Sequence, residues 1–285
     1  LSRKFLFTDL DLTLLTKDKR ISDKDLDAID RFLGEGNLFA FVTGRPFEDT
    51  VPIAERFSLL REGFFIASFN GALISSFDGS GWKNIFEEPV SFTDTRFIFE
   101  EAEKKQVFCQ TYTEKNVVAL HDDPFLESYT SGKTLKPLLM EDLDSLLKYL
   151  PHPPFKVVCA ALNDRPKLEG FRKYITPMIS DRLFSLFSSD RLLEFGCLSA
   201  TKAHALEYLA EYTGTAIEDT VSAGDEANDI SMIEAAGTGY AVSNARDEVK
   251  AVADRVTVND NDHGAIAEII EKILRYAQDD KVGSG

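Results

Sequence analysis

The sequence predicts an α/β protein, a doubly wound parallel (Rossmann-like) sheet core with an inserted α+β domain. Three observations predict it. Short apolar runs recur without polar alternation, helical patterns lie between some of them, and residues 84–188 break that rhythm.

The apolar runs are Phe5-Leu6-Phe7, Leu38 to Val42, Phe64 to Ala67, Thr220 to Ala223 and Tyr240 to Val242. A strand covered by helices on both faces has no wet side, so a continuous run fits a parallel sheet. Ser22 and Asp25 read as a capping box; Leu26, Ile29 and Leu33 then form one face, and Gly34 and Gly36 end it. Lys202 to Tyr212 repeats the pattern, with Leu206, Leu209 and Ala210 inward and Gly214 closing it.

Residues 84–188 read as a separate α+β unit. Helices are expected over Thr93–Lys105, Glu141–Tyr149 and Arg165–Tyr174, and strands over Val107–Tyr112, Val117–Leu120, Lys156–Leu162 and Leu183–Phe187. Asp78-Gly-Ser-Gly81 and Pro151-His-Pro-Pro154 punctuate its start and middle. The expected organisation is a core of residues 1–83 and 189–285 interrupted by an insert of residues 84–188.

Composition narrows the partners. With 32 basic and 48 acidic residues in 285, the net charge is −16, which disfavours nucleic acid and anionic membranes. No apolar run approaches the ~18 residues of a membrane span, and Leu1 to Phe7 lacks a signal-peptide layout. Cys109, Cys159 and Cys197 fit no zinc spacing and suit buried thiols in a reducing, cytoplasmic setting. Leu1 in place of Met implies a trimmed or incomplete start, and Val282-Gly-Ser-Gly285 reads as an appended tail.

What ends each apolar run carries the chemistry. The first leads into Asp9 and Asp11, the second into Thr43, the third into Asn70, and Thr220–Ala223 into Asp225. Ligands of open parallel sheets bind beyond the carboxyl ends of the strands, so these distant residues are expected at one edge. Asp9, Asp11, Asp225 and Asp229 would crowd negative charge that a divalent cation resolves. Mg²⁺ suits a few carboxylates, water and a substrate phosphate. Thr43 and Lys202 then read as partners of that phosphate. A lysine at a helix N-terminus opposes the macrodipole, and a bound anion there would remove the conflict.

Plainer readings stand beside these. Asp at a strand end also makes Asx-turns, Asn228-Asp229 also caps a helix through Ala236, and Asn70-Gly71 also makes a tight turn. Other strings fail. Ser131-Gly-Lys-Thr134 lacks the P-loop's earlier glycine, where Glu127 stands, and Asn259-Asp-Asn-Asp262 lacks the ligands of a calcium loop at His263 and Ile270. His121, His152, His204 and His263 show no ligand spacing.

Taken in order, Asp9-Leu-Asp-Leu-Thr-Leu-Leu15, Thr43-Gly-Arg45, Ser68-Phe-Asn-Gly-Ala72, Thr201-Lys202, Gly224-Asp-Glu-Ala-Asn-Asp229, Ile230-Ser-Met-Ile-Glu-Ala-Ala-Gly237 and Val242-Ser-Asn-Ala245 resemble the haloacid dehalogenase superfamily. The likeness is to its Cof-type phosphatases of subfamily IIB, which carry a large α/β cap. It spans the sheet core; over the insert it rests on size, position and element type.

The resemblance implies a nucleophile at Asp9 that forms an aspartyl-phosphate, and a general acid and base at Asp11. Thr43 and Lys202 would hold phosphate oxygens, with Gly44, Asn70 and Gly71 beside them. Mg²⁺ would be held by Asp9, the Asp11 carbonyl and Asp225, with Asn228 or Asp229 orienting them. The insert would be a mobile cap that sets specificity. Leu12 stands where the family usually has Gly, and Ala203 replaces a common Gly after the lysine. The implied substrate is a small phosphorylated metabolite, sugar phosphates foremost, hydrolysed in the cytoplasm. A weakly catalytic phospho-metabolite sensor and a phosphotransferase or mutase with the same intermediate are the alternatives. A homodimer is compatible with the sequence, with no face assignable.

Overall fold

The computed structural model describes residues 2–283. Leu1 and the last two residues, on which the readings of the chain ends bear, lie outside them. The chain begins with β1 (Phe5–Thr8), α1 (Asp23–Gly34), β2 (Leu38–Val42), α2 (Phe47–Arg56), β3 (Phe64–Ser68), β4 (Leu73–Phe77) and β5 (Trp82–Glu87). It continues through α3 (Phe92–Lys104), β6 (Phe108–Tyr112), β7 (Asn116–Ala119), α4 (Pro124–Thr130), β8 (Lys136–Leu139), α5 (Leu143–Tyr149), β9 (Val157–Ala160), α6 (Arg165–Ile179), β10 (Leu183–Ser189) and β11 (Leu192–Cys197). It ends with α7 (Lys202–Thr213), β12 (Thr220–Gly224), α8 (Ile230–Ala235), β13 (Thr238–Ala241), α9 (Asp247–Val252), β14 (Arg255–Val256) and α10 (Ala265–Gly283).

Contacts divide the chain into two units. One holds the residues up to Thr43, Ile53–Ile85 and those from Thr201 onward; the other holds Gly44–Pro52 and Phe86–Ala200.

The first unit is built on a sheet of order β14-β13-β12-β1-β2-β3-β4-β5. Its first six strands run parallel, and β4 turns back antiparallel on β3. Every residue of β1, β2 and β3 is buried, which is why their sequences show no alternation. Phenylalanines fill the space: Phe5 stacks on Phe7 at 4.0 Å between ring centroids, and Phe41 meets Phe64 edge-on at 4.9 Å. The strand order reverses between β1 and β12, so the chain winds away from that seam in both directions, the place where open parallel sheets bind ligands beyond the strand ends.

The flanking helices start where capping chemistry allows. The Ser22 hydroxyl accepts the Asp25 amide and donates to the Asp25 carboxylate, so α1 begins as the sequence predicts. Thr201 caps α7 by accepting the His204 amide, and Gly214, at φ 67°, ends it. Leu206, Leu209 and Ala210 are buried on the inward face.

The second unit has a six-stranded sheet of order β10-β11-β9-β6-β7-β8, antiparallel except for β7 and β8. Ile98, Phe99, Leu146, Leu168, Phe171 and Ile175 of α3, α5 and α6 share an apolar core with Cys109, Val157, Cys159, Leu193 and Phe195. Cys109 and Cys159 face each other across β6 and β9, buried as expected; Cys197 is half-buried.

The unit departs from the expected 84–188. β11 completes its sheet beyond residue 188, and residues 44–52 pack with it, because strand pairing outlasts the apolar run used to draw the boundary. α2, β4, β5, α4, β8, β11, α9, β14 and α10 lie outside the elements expected from the sequence, and β13 begins two residues before Tyr240. Among the described residues, no helix is long and apolar enough to cross a membrane.

Gly71 follows β3 at φ 101°, and a Cβ there would lie 2.6 Å from the Thr201 carbonyl oxygen. Both features demand glycine. Gly71→Ala is expected to lower stability by more than about 1 kcal/mol in denaturant unfolding; an unchanged midpoint would refute this packing constraint.

Candidate active site

β1 ends in Asp9, whose amide donates to the Ala223 carbonyl of β12 at 3.0 Å, and β12 ends in Asp225. Asp229 follows one turn later. Asp9, Asp225 and Asp229 are all buried and bring carboxylate oxygens within 4.8 Å of one another. Lys202, the first residue of α7, is 1% exposed and reaches into this group. Its Nζ donates to Asp9 Oδ1 and to Asp229 Oδ1, each at 2.6 Å. The lysine that opposes its helix dipole is thus held by two carboxylates.

Asp229 does two jobs. Oδ1 takes Lys202, while Oδ2 accepts the amides of Asp225 and Glu226 at 3.0 Å each. It therefore fixes the loop that presents Asp225. That closeness needs Gly224, where a Cβ would fall 2.3 Å from the Asp229 Cβ. Its side chain closes a capping box on the turn Ala227–Asp229 and makes no cap bond to α8, so the expected cap of the helix through Ala236 is not formed.

Burial holds the Asp9 carboxyl well above the usual carboxylate range; Lys202 opposes this, and Asp229 and Asp225 reinforce it. Burial likewise pushes Asp225 up to about 7, against the Thr13 hydroxyl, which donates to Asp225 Oδ1 at 2.7 Å. For Lys202 burial works against the charge, yet Asp229 and Asp9 outweigh it and hold the ammonium above the ordinary lysine range. Three carboxyl groups share one ammonium, so they cannot all ionise here without further positive charge. Their all-oxygen donor set fits a hard divalent cation.

The other expected residues take three positions. Thr43 is buried, its amide donating to Ala67 O at 2.8 Å and its carbonyl accepting Asn70 N at 2.9 Å. Asn70, at φ 60°, accepts the Asn228 amide at 3.2 Å, so Asn228 is tied to the β3 loop and stands outside the three-carboxylate group. The Asp11 carboxylate is more exposed and accepts Lys19 Nζ at 2.6 Å. The Gly44 carbonyl accepts Lys156 Nζ at 2.7 Å within the second unit.

Residue reading missed Thr13. Its signal was present, a lone hydroxyl among Leu10, Leu12, Leu14 and Leu15. Leu12 adopts φ 62°, and its carbonyl accepts Asn244 Nδ2 at 2.8 Å. A left-handed leucine costs about 1 kcal/mol, which is a physical reason for glycine at such a position.

Residues 6–270 match the haloacid dehalogenase-like hydrolase family. This chain belongs to it. Among similar proteins, the 5-amino-6-(5-phospho-D-ribitylamino)uracil phosphatase YitU of Bacillus subtilis is 25% identical over 272 residues, covering 90% of this chain and 92% of that protein. A haloacid dehalogenase-like hydrolase from Bacteroides thetaiotaomicron has a solved structure with TM-score 0.84 and 27% identity, covering 95% of this chain and 99% of that one. A subclass IIB sugar phosphatase shares the fold at TM-score 0.78 and 21% identity, covering 94% and 98%. The chain is thus a haloacid dehalogenase-like hydrolase whose relatives are phosphatases, with an acidic cluster suited to a metal ion.

The shifted carboxyls make this hydrolase's stability pH-dependent. Asp225, raised from 3.8 to about 7, stays protonated in the folded state where the unfolded chain ionises. Its contribution is fully present below the unfolded value and is lost as pH rises through about 7. In chelator, Asp225→Asn should therefore gain stability relative to wild type as pH rises from about 4 to about 7. Parallel pH profiles in thermal unfolding would rule the shift out.

Proposed function

We propose that this hydrolase is a Mg²⁺-dependent phosphatase that cleaves a small phosphorylated metabolite through an aspartyl-phosphate on Asp9. The observation that carries the reading is the buried Lys202 ammonium bridging Asp9 and Asp229, with Asp225 alongside.

Asp9, the Asp11 carbonyl and Asp225 would hold the cation, and Asp229 supports them by fixing Lys202 and the Asp225 loop. Bound Mg²⁺ would neutralise phosphate charge and favour the ionised carboxylates. Two of the three Lys202 N–H groups point at carboxylates, which leaves one for a phosphoryl oxygen. Thr43, fixed by its backbone bonds to Ala67 and Asn70, offers a hydroxyl to the same group.

Asp9 attacks phosphorus, forming an Asp9 O–P bond as the ester P–O bond breaks, and Asp11 gives its proton to the leaving alcohol. Asp11 then takes a proton from the water that cleaves the acyl phosphate, restoring Asp9. The half-exposed position of Asp11 supports this role, since it must exchange protons with solvent and substrate.

Sugar phosphates are the leading substrate class. One relative is named for a phosphoribityl compound, and one structural neighbour for a sugar phosphatase. We assign the second unit to the cap that selects among them, working in the cytoplasm.

Phosphate release from a panel of phosphorylated metabolites should require Mg²⁺, and Asp9→Asn should lower it at least about 10³-fold. Release that persists in Asp9→Asn would overturn the nucleophile assignment. Leu12→Gly should alter kcat or substrate ranking without creating activity. An inert wild type beside an active Leu12→Gly variant would reverse that view.

A further inference from the structure

We propose that Lys156 is a positioning residue for Thr43, acting through the main-chain carbonyl of Gly44; this rests on the phosphatase reading above. Residues 44–52 belong with the second unit, and Gly44 follows Thr43 directly. Lys156 precedes β9 and is only 2% exposed. Its Nζ donates to Gly44 O at 2.7 Å and to Glu194 Oε1 at 3.0 Å.

Every part of this arrangement is held. Thr111 Oγ1 donates to the Lys156 carbonyl at 2.8 Å, which fixes the lysine backbone. Leu193 and Phe195 of β11 enter the apolar core, so alternation places Glu194 on the opposite face. There Glu194 is 3% exposed and accepts Ser188 Oγ at 2.6 Å as well as the lysine. The Tyr112 ring lies 5.6 Å from Nζ.

A buried ion pair is often no better for stability than apolar side chains of the same volume. Stability alone therefore does not account for this pair, whereas its direction does. The ammonium is aimed at one backbone oxygen, that of the residue after Thr43. Thr43 is fixed by Ala67 and Asn70 through its own backbone, and Gly44 is fixed by Lys156. Asp49 Oδ1 accepts the Thr134 amide at 3.2 Å, a second bond from the same segment to the second unit. A hydroxyl that must meet a phosphoryl oxygen gains from backbone held on both sides, because small displacements of such groups carry large rate costs.

The test compares Lys156→Met, Lys156→Met with Glu194→Met, and Lys156→Arg in the full chain. The single Met variant leaves a buried unpaired carboxylate and will lose stability; the double variant removes that charge. Measured are Tm, the Kd of inorganic phosphate with Mg²⁺ by calorimetry, and KM and kcat for p-nitrophenyl phosphate. The double variant should return to within about 3 °C of the wild-type Tm. Its phosphate Kd and KM should still be between about 10- and 100-fold weaker. Lys156→Arg should recover most of the affinity. A double variant with both Tm and phosphate affinity of wild type would overturn the proposal, leaving a structural pair only. Phosphate binding needs no turnover, so a wild type that binds phosphate but releases none would count against the phosphatase reading while the comparison of Kd values still decides this one.

Discussion

The Lys202 ammonium between Asp9 and Asp229 is the constraint that the rest of the first unit serves. Charges this deep persist only when paired, and breaking such a pair costs about 3–5 kcal/mol. Pairing requires that the start of α7, the end of β1 and the loop after β12 converge within a few bond lengths. The strand order places β1 beside β12. Gly71 lets the β3 loop pass against Thr201, and Gly224 lets Asp229 fold back under Asp225. Two absent side chains thus decide whether one charged group can reach its partners.

The same arrangement explains why the carboxylates are useful and why they are uncomfortable. Thr13 steadies Asp225 and Lys202 steadies Asp9, yet burial keeps both reluctant to ionise. A site poised in this way gains most from a ligand that brings positive charge. The acidic surplus is a source of cation affinity and of instability at once.

The central sheet was legible because its strands are wholly buried, and burial on both faces writes itself as an unbroken apolar run. The site was legible for a related reason: Asp9, Thr43, Asn70 and Asp225 each end such a run, where an apolar pattern stops against a polar residue. Contacts between side chains far apart in sequence leave no such mark. Nothing in the chain announces that Lys156 meets Gly44, that Asn228 meets Asn70, or that Lys19 meets Asp11. Elements with half-wet faces, such as β5 and β8, gave patterns too weak to separate from loop. β11 follows β10 after a short polar turn with no strand pattern of its own, so nothing before it in the sequence shows that the second unit's sheet continues past residue 188.

The pairing of Phe5 with Thr220 also sets a schedule for the chain as it is made. When β1, β2 and β3 have emerged they can pair, but the apolar flank of β1 that β12 will cover stays open. At about 5–20 residues per second, roughly 8–30 s pass between the end of β3 and the arrival of β12. Over that interval Phe86–Ala200 of the second unit are synthesised, and an unpaired hydrophobic strand edge invites wrong partners. The β1–β12 seam closes only after that unit has been made, and β13, β14 and α10 can add only once β12 is in place. A nascent chain of this kind is an expected client for a chaperone that shields one strand edge, and one halted before Thr220 would lack its seam altogether.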